Sequence, residues 1–188
     1  MNKYNPDIHH RRSIRLGDYD YSSRGLYFVT VCTYKRECLF GQIANNKMIL
    51  NDAGKIAEKC WNEIPNHFPK VSLHRHIIMP NHIHGIIEIV GANQYSPKIP
   101  GEKYPVRANQ HSPQNPRSPS QTIGSMVRGF KIGVTMWFRK NVPTRFPVGR
   151  RVWQRDYYEH IIRNDESYQK ISDYIIENPT KWHSDKLR

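Results

Sequence analysis

The amino-acid sequence predicts an α+β fold, in which an antiparallel sheet carries helices packed on it. Stretches rich in β-branched and aromatic residues alternate with segments in which apolar residues recur every three or four positions. Two of the strand-like stretches follow one another directly, as the strands of a hairpin do. The 188 residues, of which 37% are hydrophobic, can bury one sizeable core, so we expect a single domain over residues 1–188.

The first strand is predicted at residues 25–34, because GLYFVTVCTY is rich in β-branched and aromatic residues. A helix follows it, since apolar residues recur at steps of three and four from residue 53 to about residue 67. Asn51 and Asp52 are both candidates for the N-cap of this helix.

Two further strands are predicted at residues 71–79, VSLHRHIIM, and 82–90, HIHGIIEIV. The turn formers Pro80 and Asn81 separate them. We therefore expect an antiparallel hairpin at this point of the chain.

From residue 91 to residue 121 the sequence consists largely of Pro, Gln, Asn and Ser and has no hydrophobic period. This composition predicts a flexible polar insertion. The ANQYSP of residues 92–97 returns as ANQHSP at residues 108–113. The repeat is too short and too polar for a structural repeat, so we interpret it as a local duplication in a tolerant loop.

A second long helix is predicted after the insertion, with one apolar face formed by Ile123, Met126, Val127, Phe130, Val134, Trp137 and Phe138. The YYEHIIR of residues 157–163 reads as another strand. Asn164 or Asp165 then caps a closing helix, which Pro179 stops.

The resulting order of strand, helix, paired strands, helix, strand and helix is close to the ferredoxin-like pattern. The polar N-terminal stretch lacks the apolar centre of a signal peptide, and no run approaches the roughly 18 apolar residues of a spanning helix. We therefore expect a cytoplasmic protein. The three cysteines, Cys32, Cys38 and Cys60, match neither a zinc site nor a disulfide framework, and we interpret them as buried or incidental thiols.

The formal net charge is +13, and one segment carries most of the surplus. Residues 91–155 hold twelve Lys and Arg against a single acid, Glu102. Such a segment favours a nucleic-acid partner. A tryptophan among basic residues is typical of proteins that bind single strands by contacts to the phosphate backbone and by stacking on nucleobases. The predicted contacting residues are Arg128, Lys131, Arg139, Lys140, Arg150, Arg151, Trp153 and Arg155.

Two histidines stand one residue apart at the start of the strand that follows the MPN turn. Side chains two apart in a strand point to the same face, so His82 and His84 lie side by side while Ile83 points the other way. Two imidazoles can bind a divalent ion, but two ligands rarely make a dedicated site. We therefore expect a further oxygen or nitrogen ligand from elsewhere in the chain.

The closing helix offers such a ligand in SDYIIENP. Tyr174 and Asn178 are four residues apart and therefore neighbours on one helical face. Both lie beside the apolar stripe of Tyr168, Ile171 and Ile175, so both should lean toward the sheet. This places a phenol and an amide near the imidazoles.

The segments YFVTVCTYKRECLFG, IIMPNHIHGII, VWQRDYYEHIIR and YIIENP together resemble the single-tyrosine HUH transposases, in which HUH denotes His, hydrophobic, His. The REP-associated tyrosine transposases are the most similar branch, and Asn at position 178, where insertion-sequence members commonly have Gln, fits that branch. The resemblance implies that His82, His84 and Asn178 bind a divalent metal, Mg²⁺ or Mn²⁺. It also implies that Tyr174 is the nucleophile.

The resemblance further implies a ferredoxin-like fold and an enzyme that cleaves and rejoins single-stranded DNA. The intermediate would be a 5′-phosphotyrosine with a free 3′-hydroxyl, and no ATP would be needed. The expected partner is single-stranded DNA, with hairpin-forming repeats as its source. A homodimer that shares active sites is compatible with the resemblance, and the sequence leaves it open.

The residues themselves leave alternatives for each role. His74 and His76 form a second His-x-His pair, but Arg75 between them is not hydrophobic. The rival nucleophiles are Tyr157, Tyr158 and Tyr168.

Two other classes of function also stay open. A non-catalytic single-strand binding protein would use the same basic residues and would tolerate Tyr174→Phe. A metal-dependent phosphodiesterase would activate water and form no covalent adduct with DNA.

Overall fold

The computed structural model describes residues 23–90, 121–185 and 187. The predicted polar insertion therefore lies outside the described residues, except for Gln121. The elements in chain order are β1 (Gly25–Cys32), β2 (Gly41–Ala44), β3 (Lys47–Leu50), α1 (Asp52–Asn62), α2 (Ile64–His67), β4 (Val71–Ile78), β5 (His82–Ile89), α3 (Ile123–Asn141), β6 (Tyr158–Ile162) and α4 (Asp165–Glu177). Short 3₁₀ turns lie at Tyr34–Arg36 and Trp182–Ser184.

Four of the strands form one antiparallel sheet in the order β4-β5-β1-β6. The two central strands are thus β5 and β1, with Thr30 opposite His84 and Cys32 opposite His82. With α1 and α3 as the crossovers, this is the ferredoxin-like arrangement. The prediction of an α+β fold with an antiparallel sheet is confirmed.

The sheet is covered on both faces, since every residue of its central strand β5 is buried and successive side chains point to opposite faces. On one face, Tyr27, Val29 and Ile83 pack in the larger core with residues of α1 and α3. On the other face, a smaller cluster packs α4 onto the sheet through Phe28, Ile86, Ile162, Tyr168 and Ile175. The helix α4 therefore lies on the face to which His84 points, where the imidazole stacks on Phe28 with ring centroids 5.4 Å apart.

The helix starts follow the capping residues in the sequence. The side chain of Asn51 accepts a hydrogen bond from the Gly54 amide at the start of α1. At the start of α4, Asn164 accepts one from the Ser167 amide in the same way, so Asn rather than Asp is the cap in both helices. Each such cap contributes about 1 kcal/mol. The helix predicted to run to residue 67 is interrupted at Glu63, and α2 forms its last turn.

A small hairpin of β2 and β3 precedes α1, and the sequence interpretation missed it. Its turn is Asn45-Asn46, in which both residues have positive φ, 50° and 58°. Asparagine tolerates this left-handed region better than most residues, and two such residues in succession are typical of a tight hairpin turn. The signal was therefore present in the letters ANNK.

Among residues 23–90, 121–185 and 187, no helix combines the length and the apolar content that crossing a membrane requires.

Gly85 in β5 has no room for a side chain, and its replacement provides a test of the packing. A Cβ at this position would lie 2.2 Å from Cζ2 of the buried Trp61 ring. We expect Gly85→Ala to lower the free energy of unfolding by about 1–3 kcal/mol, because the ring has to move. Chemical denaturation measures this change.

Gly129→Ala in α3 is the matched control, since a Cβ added there would meet nothing within 4 Å. This variant should be neutral or more stable by up to about 1 kcal/mol, because alanine favours the helix. Equal stabilities of the two variants would contradict the packing described for Trp61.

Candidate functional site

The two motif histidines lie at the start of β5, in the middle of the sheet. His82 is 0% exposed and His84 is 2% exposed. Their ring centroids are 4.5 Å apart, as expected for residues two apart on one strand. A buried imidazole is costly unless its nitrogens are hydrogen-bonded, so the partners of these four nitrogens define the site.

Asn81 determines the tautomer of His82. The Asn81 amide nitrogen donates to the carbonyls of Arg36 (3.3 Å) and Leu187 (2.7 Å), which fixes the orientation of the amide. Its oxygen lies 2.7 Å from Nδ1 of His82, so Nδ1 carries the proton and donates it. The lone pair of His82 is therefore on Nε2, and it points into the site.

His84 is held between the sheet and α4. Its Nδ1 lies 2.8 Å from the Thr30 hydroxyl on the neighbouring strand β1. Its Nε2 lies 3.2 Å from the Tyr174 hydroxyl. The ring also stacks on Phe28 at an interplanar angle of 25°, so the imidazole has one orientation.

The helix α4 brings Tyr174 and Asn178 to the histidines, as the four-residue spacing predicts. The Tyr174 hydroxyl contacts His84, and the side chain is 38% exposed. Asn178, the C-cap of α4, is only 2% exposed. Its amide lies close enough to both His82 and Tyr174 to change their pKa values. The phenol is thus open to solvent at the edge of a buried polar cluster.

Burial dominates the ionisation of the site. It lowers the pKa of His82 to about 4, although Asp185 opposes the change. Burial also lowers the pKa of His84 well below its usual value, and His82 acts in the same direction. Both imidazoles are therefore neutral at pH 7 and offer lone pairs. Burial raises the pKa of the Tyr174 hydroxyl, with Asp185 adding to the increase, so this phenol is protonated at neutral pH.

Asp185 is a site residue that the sequence interpretation missed. Its carboxylate is 7% exposed, and its Oδ2 lies 3.7 Å from Nε2 of His82. It follows the Trp182–Ser184 turn, seven residues after Asn178. No spacing rule connects an irregular segment after a helix with a strand a hundred residues earlier, so only the folded chain reveals the contact.

Three acceptor atoms near one another lack hydrogen-bond partners within the described ranges. They are Nε2 of His82, Oδ1 of Asn178 and Oδ2 of Asp185, all shielded from solvent. Buried acceptors without donors are unfavourable, and a cation is one group that satisfies several at once. Amide and carboxylate oxygens are ligands that suit Mn²⁺ and Mg²⁺, and imidazole nitrogens are ligands that suit transition-metal ions. The residues therefore fit the divalent ion that the motif implies.

The side-chain amide of Asn178 is needed to complete a cation site with His82 and His84. In the part of the chain that the structure describes, no three His, Cys, Asp or Glu side chains are grouped as a metal site. A site built on His82 and His84 thus depends on Asn178 as well, as the spacing of the motif suggested.

The second His-x-His pair is split between the two faces of the sheet. The register of β4 against β5 shifts between Leu73 and His76, and such an irregularity reverses the expected alternation. His74 consequently faces α4, while His76 stacks near Trp61 on the opposite face, with ring centroids 6.1 Å apart. His74 and His76 do not form a pair.

His74 instead anchors α4. Its Nε2 lies 2.9 Å from Oε2 of Glu88, and its Nδ1 lies 3.2 Å from the Tyr168 hydroxyl. All three side chains are largely buried. This triad ties the first half of α4 to the sheet, and Tyr174 lies in the second half of the same helix.

Among the other tyrosines, each has a different environment. Tyr168 is committed to His74, and the Tyr157 hydroxyl donates to Glu159. Tyr158 is half exposed and packs edge-on against Phe28. Of these four tyrosines, Tyr174 is the one that lies against a motif histidine.

The prediction that Trp153 is a base-stacking platform is wrong. The side chain is 7% exposed and packs against Phe40 and Phe130 in the core. Its indole nitrogen donates to the carbonyl of Lys131. A buried ring cannot stack on a nucleobase. The sequence did not distinguish a core tryptophan from a stacking tryptophan, because either can stand among basic residues.

Lys131 is also a structural residue rather than a free cation. Its ammonium group donates to the carbonyls of Gln154 (2.9 Å), Arg155 (3.5 Å) and Asp156 (3.2 Å). Burial lowers the pKa of this lysine to about 8. Lys131 therefore holds the segment before β6 against α3.

The remaining predicted contact residues are exposed: Arg128, Arg139, Lys140, Arg150, Arg151 and Arg155. Two of them also have partners in the protein. Arg150 binds the Glu37 carboxylate at 3.1 Å, and the Arg151 guanidinium lies over the Tyr34 ring. The helix α3 lies on the sheet face opposite α4, so its basic residues are remote from the histidines. The basic segment of residues 150–155 instead precedes β6, which pairs with β1 beside Phe28.

Two sequence relatives and a solved structure are similar to this chain. A protein of Haemophilus influenzae described only as uncharacterized is 51% identical over 185 residues, covering 98% of this chain and 97% of that protein. A second Haemophilus influenzae protein, whose provisional name is REP-associated tyrosine transposase, is 26% identical over 163 residues, covering 86% of this chain and 74% of its own length. No family model matches the chain. The chain belongs to the family of the first of these proteins.

A solved structure of a REP-associated tyrosine transposase bound to a REP hairpin has the same fold. The TM-score is 0.57 at 18% sequence identity, over 92% of this chain and 77% of that one. The resemblance to REP-associated tyrosine transposases that the motifs indicated is thus confirmed, in the fold and in the sequence of a more distant relative.

The His74 triad predicts a stability effect at a histidine outside the motif. His74→Ala should lower the free energy of unfolding by about 2–4 kcal/mol, because it leaves the Glu88 carboxylate buried without its partner. Exposed His67 is the control, and His67→Ala should change stability by less than about 0.5 kcal/mol. Urea denaturation of both variants checks this, and an unaltered His74→Ala midpoint would show that the triad does not anchor α4.

Proposed function

We propose that this chain is a single-tyrosine transposase that cleaves and rejoins single-stranded DNA through a 5′-phosphotyrosine intermediate. One observation carries the proposal. Tyr174, whose side chain is partly exposed, is hydrogen-bonded through its hydroxyl to a motif histidine and lies beside a buried cluster of unpaired acceptors. A nucleophile next to a candidate cation site is the arrangement that phosphodiester cleavage by a tyrosine needs.

In the proposed reaction, the Tyr174 oxygen attacks the scissile phosphorus and forms a new oxygen–phosphorus bond. The bond to the 3′-oxygen of the preceding nucleotide breaks, and that oxygen takes up a proton to become a free 3′-hydroxyl. The phenolic proton leaves to solvent, to which the side chain is open. Attack by the 3′-hydroxyl of another strand reverses these steps, which conserves the bond energy and rejoins DNA without ATP.

His84 orients the nucleophile. Its neutral Nε2 accepts a hydrogen bond from the Tyr174 hydroxyl, while Thr30 and Phe28 fix the ring. Orientation matters because a misplaced nucleophile loses much of its reactivity toward a bound phosphate. The raised pKa of Tyr174 means that the phenol needs help to react at neutral pH.

We assign His82, His84 and Asn178 as the residues that hold a divalent cation, Mg²⁺ or Mn²⁺. The ion would take the lone pair of His84 Nε2 that accepts the Tyr174 hydrogen bond in its absence, and the Tyr174 hydroxyl would then lie beside the ion. When bound, the ion would neutralise the charge that builds up on the scissile phosphate. The support for this assignment is the pair of neutral imidazoles and the unpaired amide oxygen described above.

The proposed DNA partner is a single strand or a hairpin with single-stranded flanks. The related solved structure is bound to a REP hairpin, and residues 91–155 of this chain carry a surplus of eleven positive charges. We place the DNA strand along the exposed arginines of residues 150–155. Arg155 lies three residues before Tyr158, and the Tyr158 ring packs against Phe28 near His84, so this segment leads toward the site.

The nucleophile is tested with Tyr174→Phe, which removes only the hydroxyl. Mixing the wild-type protein with a labelled hairpin oligonucleotide and Mn²⁺ should give a covalent adduct on a denaturing gel, and the adduct should map to Tyr174. The variant should lose both adduct and cleavage while it keeps its affinity for DNA, because the phenol is the reacting group.

Tyr158→Phe is the matched control, since this tyrosine is exposed and also near Phe28; it should keep the adduct. Cleavage without an adduct in the Tyr174 variant would indicate activated water, that is, a phosphodiesterase. Binding without cleavage in the wild type would indicate a non-catalytic DNA-binding protein.

The basic surface predicts a steep loss of affinity with salt, because binding to phosphates releases counterions. Arg155→Glu and Arg151→Glu, both at exposed positions in the segment of residues 150–155, should each weaken DNA binding and reduce the salt slope by about 1 or more. Lys55→Glu is the control, with the same charge change on α1, where Lys55 pairs with Asp52. Fluorescence anisotropy at several salt concentrations checks this, and equal losses for all three variants would contradict a specific basic surface.

A further inference from the structure

We propose that Asp185 is a fourth ligand of the same cation and that the segment after α4 therefore completes the site. The inference rests on the proposed function, since it adds a carboxylate to the cation site of His82, His84 and Asn178. Neither the motif nor the four-residue spacing on α4 indicates Asp185. The inference comes from the place of its carboxylate beside His82 in the folded chain.

The carboxylate is in an environment that needs a positive partner. It is 7% exposed, and its Oδ2 has no hydrogen-bond partner among the residues that the structure covers. Burying a carboxylate is costly unless a cation or donors compensate. Nε2 of His82 lies 3.7 Å from this oxygen, a distance too long for a direct hydrogen bond.

Asp185 Oδ2 and His82 Nε2 are both acceptors. The orientation of the Asn81 amide puts the proton of His82 on Nδ1, so a lone pair of Nε2 faces the carboxylate oxygen. Two acceptors facing each other repel unless a cation lies between them. Two metal–ligand bonds of about 2.0–2.1 Å each can span their separation.

Asp185 is held in place by contacts that also orient His82. Its Oδ1 accepts a hydrogen bond from the Leu187 amide at 2.8 Å, and the Leu187 carbonyl accepts one from Asn81 at 2.7 Å. Asn81 is in turn the partner of Nδ1 of His82. The Trp182 ring, buried near His82 with centroids 6.1 Å apart, fixes the start of this segment. One asparagine thus positions both proposed ligands.

The chemistry of the ligand set favours the addition. Two neutral imidazoles and an amide bring no negative charge, whereas Mg²⁺ and Mn²⁺ prefer oxygen ligands and are usually bound by at least one carboxylate. Asp185 provides a negatively charged oxygen that faces His82. The proposed site then has two nitrogens and two oxygens from three parts of the chain, which are β5, the end of α4 and the segment after it. Within the described residues, His82, His84 and Asp185 are not by themselves grouped as a metal site, so the proposal requires these side chains to draw together around the ion.

The test is Mn²⁺ binding to the full chain, measured without DNA by isothermal titration calorimetry and by the electron paramagnetic resonance signal of free Mn²⁺. Asp185→Ala should weaken Mn²⁺ binding by at least about tenfold, because even the removal of an outer partner of a metal ligand has an effect of that size. Asp185→Asn should weaken it less, since an amide oxygen can still coordinate. Asp173→Ala, which removes an exposed acid on α4, should bind as the wild type does.

Thermal unfolding provides the second readout. Mn²⁺ should raise the unfolding temperature of the wild type, because an ion that binds only the folded state stabilises it, and this shift should shrink in Asp185→Ala. Cooperative unfolding without metal shows that the variant is folded. If Asp185→Ala does not fold, Asp185→Asn decides, since it preserves the shape of the side chain.

His82→Ala separates this inference from the proposed function. Loss of Mn²⁺ binding in His82→Ala together with wild-type binding in Asp185→Ala and Asp185→Asn would overturn the role of Asp185 alone. Wild-type binding in His82→Ala would overturn the cation site itself, and with it the metal part of the proposed function. Loss in both supports a shared site.

Discussion

The burial of two neutral imidazoles at the start of β5 is the constraint on which the site depends. An imidazole in the interior needs a partner for each nitrogen, and each ring has one partner close by, in the turn before β5 for His82 and on β1 for His84. The Asn81 side-chain oxygen accepts a hydrogen bond from Nδ1 of His82, and the Thr30 hydroxyl on the neighbouring strand contacts Nδ1 of His84. The remaining nitrogen of each ring faces away from these partners, toward α4 and the segment after it. The unpaired Nε2 of His82 and the Nε2 of His84, which contacts the Tyr174 hydroxyl, give this part of the sheet its chemistry.

The helix α4 is positioned by contacts of two kinds. Apolar packing through Ile175 holds it on the sheet, while the buried contact of Tyr168 with His74 and Glu88 anchors its first half. The second half then delivers Tyr174 to His84. The position of α4 therefore determines the position of the Tyr174 hydroxyl, and a change in the His74 contacts should also shift this hydroxyl relative to His84. The same coupling extends to Asn178, where α4 ends beside the histidines.

Much of the fold and the centre of the site follow from local periodicity. The alternation of two residues in a strand places His82 beside His84, and the helical spacing of four places Tyr174 beside Asn178. These relations need no knowledge of the rest of the chain, and the order of strands and helices indicated a ferredoxin-like sheet. The hairpin of β2 and β3 was missed although its Asn45-Asn46 turn is a local signal. The residue types alone also do not indicate that β4 contains an irregularity that separates His74 from His76.

Only the tertiary structure decided which polar and aromatic side chains are buried and which distant residues meet. Trp153 is part of the core because Phe40 and Phe130 from other segments cover it. Lys131 binds three carbonyls that lie more than twenty residues away in the chain. Asp185 faces His82 across more than a hundred residues because the segment after α4 folds back toward Asn81. Local periodicity determines which way a side chain points from its own strand or helix, but its neighbours come from the packing of elements that are far apart in the sequence.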